Sequence, residues 1–208
     1  DAARLDASST IYDLHFGANL ISFPYISNED ASIETIFSSI VFDTDGIISE
    51  GVASSYNPVL GWTGTIDYIE RDKGYWVKVI LEDTMGSLNF AVSGIETDHN
   101  MMYYLHDGAN LVSYIGTDSV DVGDAIPDNI EEHFEAIIGQ GVAASPDPIL
   151  GWVGSLNMFN IGKGYWIKVD PDITYLEMVW NSDNSSSSRT HRNNTVEMHS
   201  DFTFIQSS

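Results

Sequence analysis

The chain has no cysteine among its 208 residues, which excludes thiol catalysis, disulfide staples and cysteine-ligated zinc or iron–sulfur sites. Basic residues are scarce: Lys and Arg total 8 against 31 Asp and Glu, a formal net charge of −23. Such a surface repels phosphate backbones, so nucleic acids and anionic membranes fall away as partners. No apolar run approaches the roughly 18 residues of a membrane span. Nor does the start, Asp1-Ala2-Ala3-Arg4, carry the basic-then-apolar pattern of a signal peptide, which reads as a mature or excised form. Phosphate-binding glycine loops and the H-E-x-x-H zinc motif are missing too. What is present is ample core material: hydrophobic residues make up 43% of the chain, so wholesale disorder is excluded.

An internal repeat organises that material. Leu14-His15-Phe16-Gly17-Ala18-Asn19-Leu20-Ile21-Ser22 returns as Leu105-His106-Asp107-Gly108-Ala109-Asn110-Leu111-Val112-Ser113. Gly51 to Trp62 returns as Gly141 to Trp152, and Lys73-Gly74-Tyr75-Trp76-Val77-Lys78-Val79 returns as Lys163-Gly164-Tyr165-Trp166-Ile167-Lys168-Val169. Three blocks in one order at a constant offset of 90 or 91 residues read as a tandem duplication. The expected organisation is an N-terminal lead (1–10), a first module (11–98), a second (99–180), and a Ser/Asn-rich linker opening a further strand segment (181–208).

Each copy predicts a mainly β fold with short helices, a twisted-sheet or barrel-like module of about five strands and one helix. Strands are expected at 19–23, 47–48, 61–66, 75–79 and 88–92, with counterparts in the second copy. Ser32 is placed to cap a helix over Ile33 to Ile40, whose apolar residues have i, i+3, i+4, i+7 spacing. Pro127 shortens its counterpart between Val122 and Ile130. The polar stretch Ser93 to Asn100 reads as the linker between copies. After Trp180, Asn181 to Ser188 is low in complexity, while Val196–Met198 and Asp201–Ile205 look like strand material without a partner, so the chain reads as part of something longer.

The G-x-N-L-(I/V)-S opening, the central G-W and the K-G-Y-W-(I/V)-K-V close resemble a repeat module of secreted, modular surface proteins from marine and Bacteroidota-like bacteria, often exported by the type IX route. The resemblance covers residues 11 to 180. It implies a secreted or cell-surface accessory unit within a longer parent chain, and it brings no catalytic residues with it.

The aromatic residues carry the leading functional expectation. Trp62, Tyr75 and Trp76 recur as Trp152, Tyr165 and Trp166, and strand alternation sends Tyr75 and Trp76 to opposite faces. An exposed ring beside polar groups stacks on the apolar face of a sugar. Lys78 and Lys168 share the tryptophan face and would meet an anionic group of a polysaccharide or serve in local ion pairs. Asp43, Asp45 and Glu50 suggest part of a calcium loop in the first copy, and calcium is the one cofactor the sequence proposes. His15 with Ser22, and His106 with Ser113, are recurring pairs that a Ser–His hydrolase would need, although no nucleophile elbow accompanies them. His191 and His199 lack zinc-site spacing.

The composition and motifs favour a non-catalytic, carbohydrate- or polymer-binding module. A self-associating scaffold element and a small hydrolase (glycosidase or esterase) with a site between the copies stand behind it. The acidic, lysine-poor surface suits a saline exterior, where salt screens self-repulsion.

Overall fold

In the computed structural model, residues 8–116 and 119–181 are described, and they form a mainly β protein. The first repeat contains β1 (Ser8–His15), β2 (Gly17–Ser22), β3 (Tyr25–Ile26), α1 (Ile33–Ile36), β4 (Thr44–Ser49), β5 (Val52–Asn57), β6 (Gly61–Gly64), β7 (Gly74–Val79) and β8 (Ser87–Glu96). The second contains β9 (Tyr103–His106), β10 (Gly108–Ser113), β11 (Val120–Asp121), α2 (Val122–Ala125), β12 (Phe134–Gly139), β13 (Val142–Asp147), β14 (Gly151–Gly154), β15 (Met158–Phe159), β16 (Gly164–Val169) and β17 (Tyr175–Met178).

Each repeat is built on a five-stranded antiparallel sheet. The strand orders are β2-β7-β4-β5-β6 and β10-β16-β12-β13-β14, and the registers correspond strand for strand. Four of the expected strands lie in this sheet; the fifth, at 88–92, falls in β8 of a second layer, and its place is taken by β5, which the sequence did not signal as a strand. In the first repeat β1, β8 and β3 form a separate sheet, and in the second β9 pairs with β17. Each core lies between its two layers: Tyr12, Leu14 and Phe90 from the outer strands bury against Ile21, Ile47, Tyr75 and Val77 of the first main sheet. In the second, Tyr103, Leu105, Met178 and Trp180 meet Val112, Ile137, Tyr165 and Ile167.

Alternation along β7 sends Tyr75, Val77 and Val79 into the core and leaves Trp76 half-buried and Lys78 exposed on the other face. The G-x-N-L-(I/V)-S motif also has a local cause. Gly17 and Gly108 turn the chain with φ of +94° and +79°. The buried Asn19 amide then ties the turn, accepting from His15 N–H at 3.0 Å and donating to His15 C=O at 2.8 Å, and Asn110 repeats this with His106.

Two expectations need correction. The helix over Ile33 to Ile40 is a single turn: Ser32 Oγ caps it by accepting from Thr35 N–H, but the helix ends at Ile36. Phe37 leaves the helical path to stack on Phe90 at 5.2 Å, so core packing overrides the periodic pattern. The stretch Ser93 to Asn100 is not a free linker either. β8 continues to Glu96 and pairs with β3, and Thr97 is buried, its hydroxyl donating to Pro24 C=O. Arg71 clamps this corner, donating to Ile26 C=O, Asn28 Oδ1, Ile95 C=O and Thr97 Oγ1. Val196–Met198, Asp201–Ile205, His191 and His199 lie outside the described residues.

Candidate functional site

The recurring residues converge where the two repeats meet. Ser22 N–H donates to Gly162 C=O at 2.9 Å, and Ser113 N–H donates to Asp72 C=O at 3.0 Å. Their hydroxyls also cross the junction: Ser22 Oγ donates to Lys163 C=O at 2.7 Å and Ser113 Oγ to Arg71 C=O at 2.6 Å. Leu20 and Leu111 are 1% exposed yet belong to neither repeat's own core. They bury against the other repeat, where a Cβ on Gly164 would stand 3.0 Å from Leu20 Cδ1 and one on Gly74 2.9 Å from Leu111 Cδ1.

The histidines complete this junction and differ between its two sides. Gln140 Oε1 accepts from Leu20 N–H at 2.8 Å, which fixes the amide and turns its Nε2 toward His15 Nε2 at 2.6 Å. His15 Nδ1 lies 2.6 Å from Phe16 C=O, so it donates there and accepts at Nε2 as a neutral tautomer. On the other side Glu50 replaces the glutamine: Oε2 accepts from Leu111 N–H at 2.9 Å, and Oε1 accepts from His106 Nε2. His106 donates through Nδ1 to Asp107 C=O as well, so both ring nitrogens are donors. The bond to Glu50 first, and then that to Asp107 C=O, hold the imidazolium above the usual histidine range.

These contacts overturn the Ser–His assignment. Ser22 and Ser113 spend their hydroxyl protons on main-chain carbonyls across the junction, and His15 and His106 pair with Gln140 and Glu50 rather than with serine. The three residues proposed for calcium are not gathered into one cluster. Glu50 is engaged at the junction, and Asp45 meets Lys78 at 2.5 Å, which leaves Asp43 alone. Among the described residues no group of three or more His, Asp or Glu side chains is placed to hold a metal ion.

Tyr75 and Tyr165 are 1% and 3% exposed, with hydroxyls accepting from Glu70 and Asn160 N–H, so they offer no ring face to a ligand. Trp62 packs edge-on to Phe37 and Tyr56, and Trp152 donates from Nε1 to Glu131. Both rings serve mainly as walls of their cores. Trp76 and Trp166 stay half-buried, directly across from Leu20 and Leu111, on the face where Lys78 and Lys168 point outward. Lys78 and Lys168 are each neutralised locally, by Asp45 and Glu135 at 2.5 Å.

Among the described residues, two related clefts flank the junction away from these rings. One, of about 410 Å³, is lined by Glu50, Asp67, Tyr68, Glu70 and Lys73 among others. A small pocket adds Tyr104 and His106 from the second repeat and shares Glu50 and Lys73 with the cleft. Tyr68 and Tyr104 are 64% and 63% exposed, and Tyr104 stacks on exposed Tyr175 at 5.8 Å. The other cleft, of about 470 Å³, is lined by the 90-residue counterpart of every residue of the first, joined by Asp13, His15, Asn19, Leu20 and Gly164. The sequence reading passed over Tyr68, Tyr104, Asp67 and Glu70. The signal for them was the carboxylate-to-amide exchange between aligned positions: Glu50, Asp67 and Glu70 against Gln140, Asn157 and Asn160.

No protein-family model matches the chain, and no curated protein or solved structure matches it.

Proposed function

We propose that the protein is a non-catalytic, carbohydrate-binding element of a longer extracellular protein, and that sugar lies in the cleft lined by Tyr68 and extends to the adjoining small pocket lined by Tyr104. The observation that carries this reading is the pair of exposed tyrosines, one from each repeat, beside a polar cleft at the junction. Tyrosine rings present an apolar face to a pyranose, and Asp67, Glu70 and Lys73 supply acceptors and donors for its hydroxyls. A binding role also fits the serines and histidines, whose hydrogen bonds are spent on joining the repeats. The extracellular placement rests on the resemblance of the repeated motifs and on the acidic surface.

The test is binding of the purified chain to a polysaccharide array, followed by titration calorimetry with Tyr68→Ala and Tyr104→Ala. Loss of binding with an unchanged melting temperature is expected. Undiminished binding by the double variant would reject the site, and a blank array would reject the function.

A scaffold role is favoured by a different observation. Val59, Leu60, Ile149 and Leu150 are 73% to 89% exposed at two hairpin tips. Asn57 and Asp147 hold these tips by accepting from the two following aliphatic N–H groups. Light scattering across concentration would reveal tip-driven association, and loss of that association in Leu60→Ser with Leu150→Ser would locate it.

A further inference from the structure

The two clefts share a backbone and differ in chemistry. On the Glu50 side the lining carries Glu50, Asp67 and Glu70 against Lys73, which is 3.6 Å from Asp72. On the other side all three acids are replaced by amides, Gln140, Asn157 and Asn160. Asp13 is then the one carboxylate in the lining, and Lys163 the one ammonium. Among the described residues no carboxylate lies within ion-pair distance of Lys163. His15 is held in its neutral tautomer by Gln140 and Phe16 C=O.

The free hydrogen-bonding capacity of this cleft is mixed in kind. The exposed Asn157 amide and the exposed Asp13 carboxylate have no hydrogen-bond partner among the described residues. Asp13 accepts only, Lys163 donates only, and Asn157 does both. Met158, 46% exposed, supplies an apolar wall where the other cleft has Tyr68. A net-neutral lining of donors and acceptors beside an apolar patch suits a polyhydroxylated ring without charge. An anionic ring would face Asp13, and a cationic one would face Lys163.

We propose that the cleft lined by Asp13, Asn157, Met158 and Lys163 is a second saccharide site, which takes a neutral sugar unit and needs both repeats because Asp13 comes from the first and the amides from the second. The assignment rests on the saccharide reading above and deepens it. Two unlike sites on one junction would let the chain read two positions of one polymer, or link two strands, with the gain in avidity that such linkage gives.

The test is nitrogen-15 NMR titration of the full chain with cellohexaose, laminarihexaose and mannohexaose as neutral probes, and hexagalacturonate as the charged one. The expected result is a shift of the Asn157 side-chain amide with at least one neutral probe. Lys163→Met, read at the same side-chain amide, and Asn157→Asp, which restores the residue type of the other cleft without changing its size and is read at the Met158 backbone amide, should each weaken binding by roughly 2- to 12-fold, the worth of one hydrogen bond. Shifts confined to residues around Tyr68 and Tyr104 would overturn the second site and leave saccharide binding intact. Shifts at Asn157 with hexagalacturonate alone would overturn the ligand class, and no shift anywhere would overturn both readings.

Discussion

Gly74→Ala is the sharpest probe of why the K-G-Y-W block has a glycine. Gly74 opens β7 without a positive φ, so its conformation asks for no glycine. In a free strand, alanine there would stabilise by about 0.4–1 kcal/mol through loss of unfolded-state entropy. The junction reverses that sign. The added Cβ would stand 2.9 Å from Val112 C=O and 2.9 Å from Leu111 Cδ1, and the carbonyl belongs to a strand held by β16. Forcing the repeats apart by a few tenths of an ångström costs about 1–3 kcal/mol, as overpacking does elsewhere. For a chain of this size that lowers the melting temperature by roughly 2–12 °C. Gly164→Ala meets the same obstacle, with Ile21 C=O at 2.9 Å and Gly74 Cα at 3.2 Å. Because both new methyl groups enter one gap, the double variant should cost less than the sum of the singles. Urea denaturation followed by tryptophan fluorescence reads all three, with Gly86→Ala, in the loop after β7, as the control. A Gly74→Ala chain at or above the stability of the unaltered protein would refute the junction as the reason for the motif.

The His106–Glu50 pair predicts a pH dependence. A histidine whose folded value is raised contributes stability that is complete below its unfolded value of about 6.5 and is lost as pH climbs through the folded value. The stability difference between the unaltered protein and His106→Gln should therefore shrink from pH 6 to pH 9, and a difference flat with pH would reject the pair. Trp62 Nε1 is buried without an acceptor among the described residues, while its counterpart Trp152 donates to Glu131, which aligns with Val41. Val41→Glu should therefore stabilise by about 0.5–1.5 kcal/mol in chemical denaturation, and unchanged or lower stability would reject that placement. Replacing Lys78 by Met should cost under about 1 kcal/mol, because its bond to Asp45 is exposed, and a larger loss in thermal unfolding would show a further role. With a net charge of −23, the melting temperature should rise from low salt to about 0.5 M sodium chloride as screening relieves self-repulsion; a flat or falling profile would count against it.

Local patterns in the chain were readable because their causes are local. The Tyr-Trp-Val-Lys-Val alternation put Tyr75 and Trp76 on opposite faces, since a strand offers only two, but which face meets the core depends on the second layer of strands, and the structure turns Tyr75 inward. Lys78 found its carboxylate one strand away, at Asp45. The site was harder, because its contacts span great sequence distance: Gln140 reaches Leu20 and His15, and Glu50 reaches His106 and Leu111. No spacing rule connects positions so far apart, so recurring serines and histidines resembled half a catalytic set. Gly74 gave no local signal either, because the atoms that exclude a side chain there belong to the other repeat.

The junction also explains how near-identical blocks came to flank unlike clefts. Contacts that set the distance between the repeats use main-chain groups, small side chains and leucines: Ser22 and Ser113, Gly74 and Gly164, Leu20 and Leu111. A change at any of these positions moves both clefts at once, and each faces a close packed neighbour. Asp67, Tyr68 and Asn157, Met158 face open space instead, where substitution leaves the interface untouched. Glu50 and Gln140 stand at the border, and there the exchange retains its geometry. Either side chain accepts the leucine N–H across the junction with one oxygen, while its other terminal atom meets a histidine. A carboxylate takes the charged ring and an amide takes the neutral one, so the charge of each cleft is set without disturbing the contact that holds the repeats together.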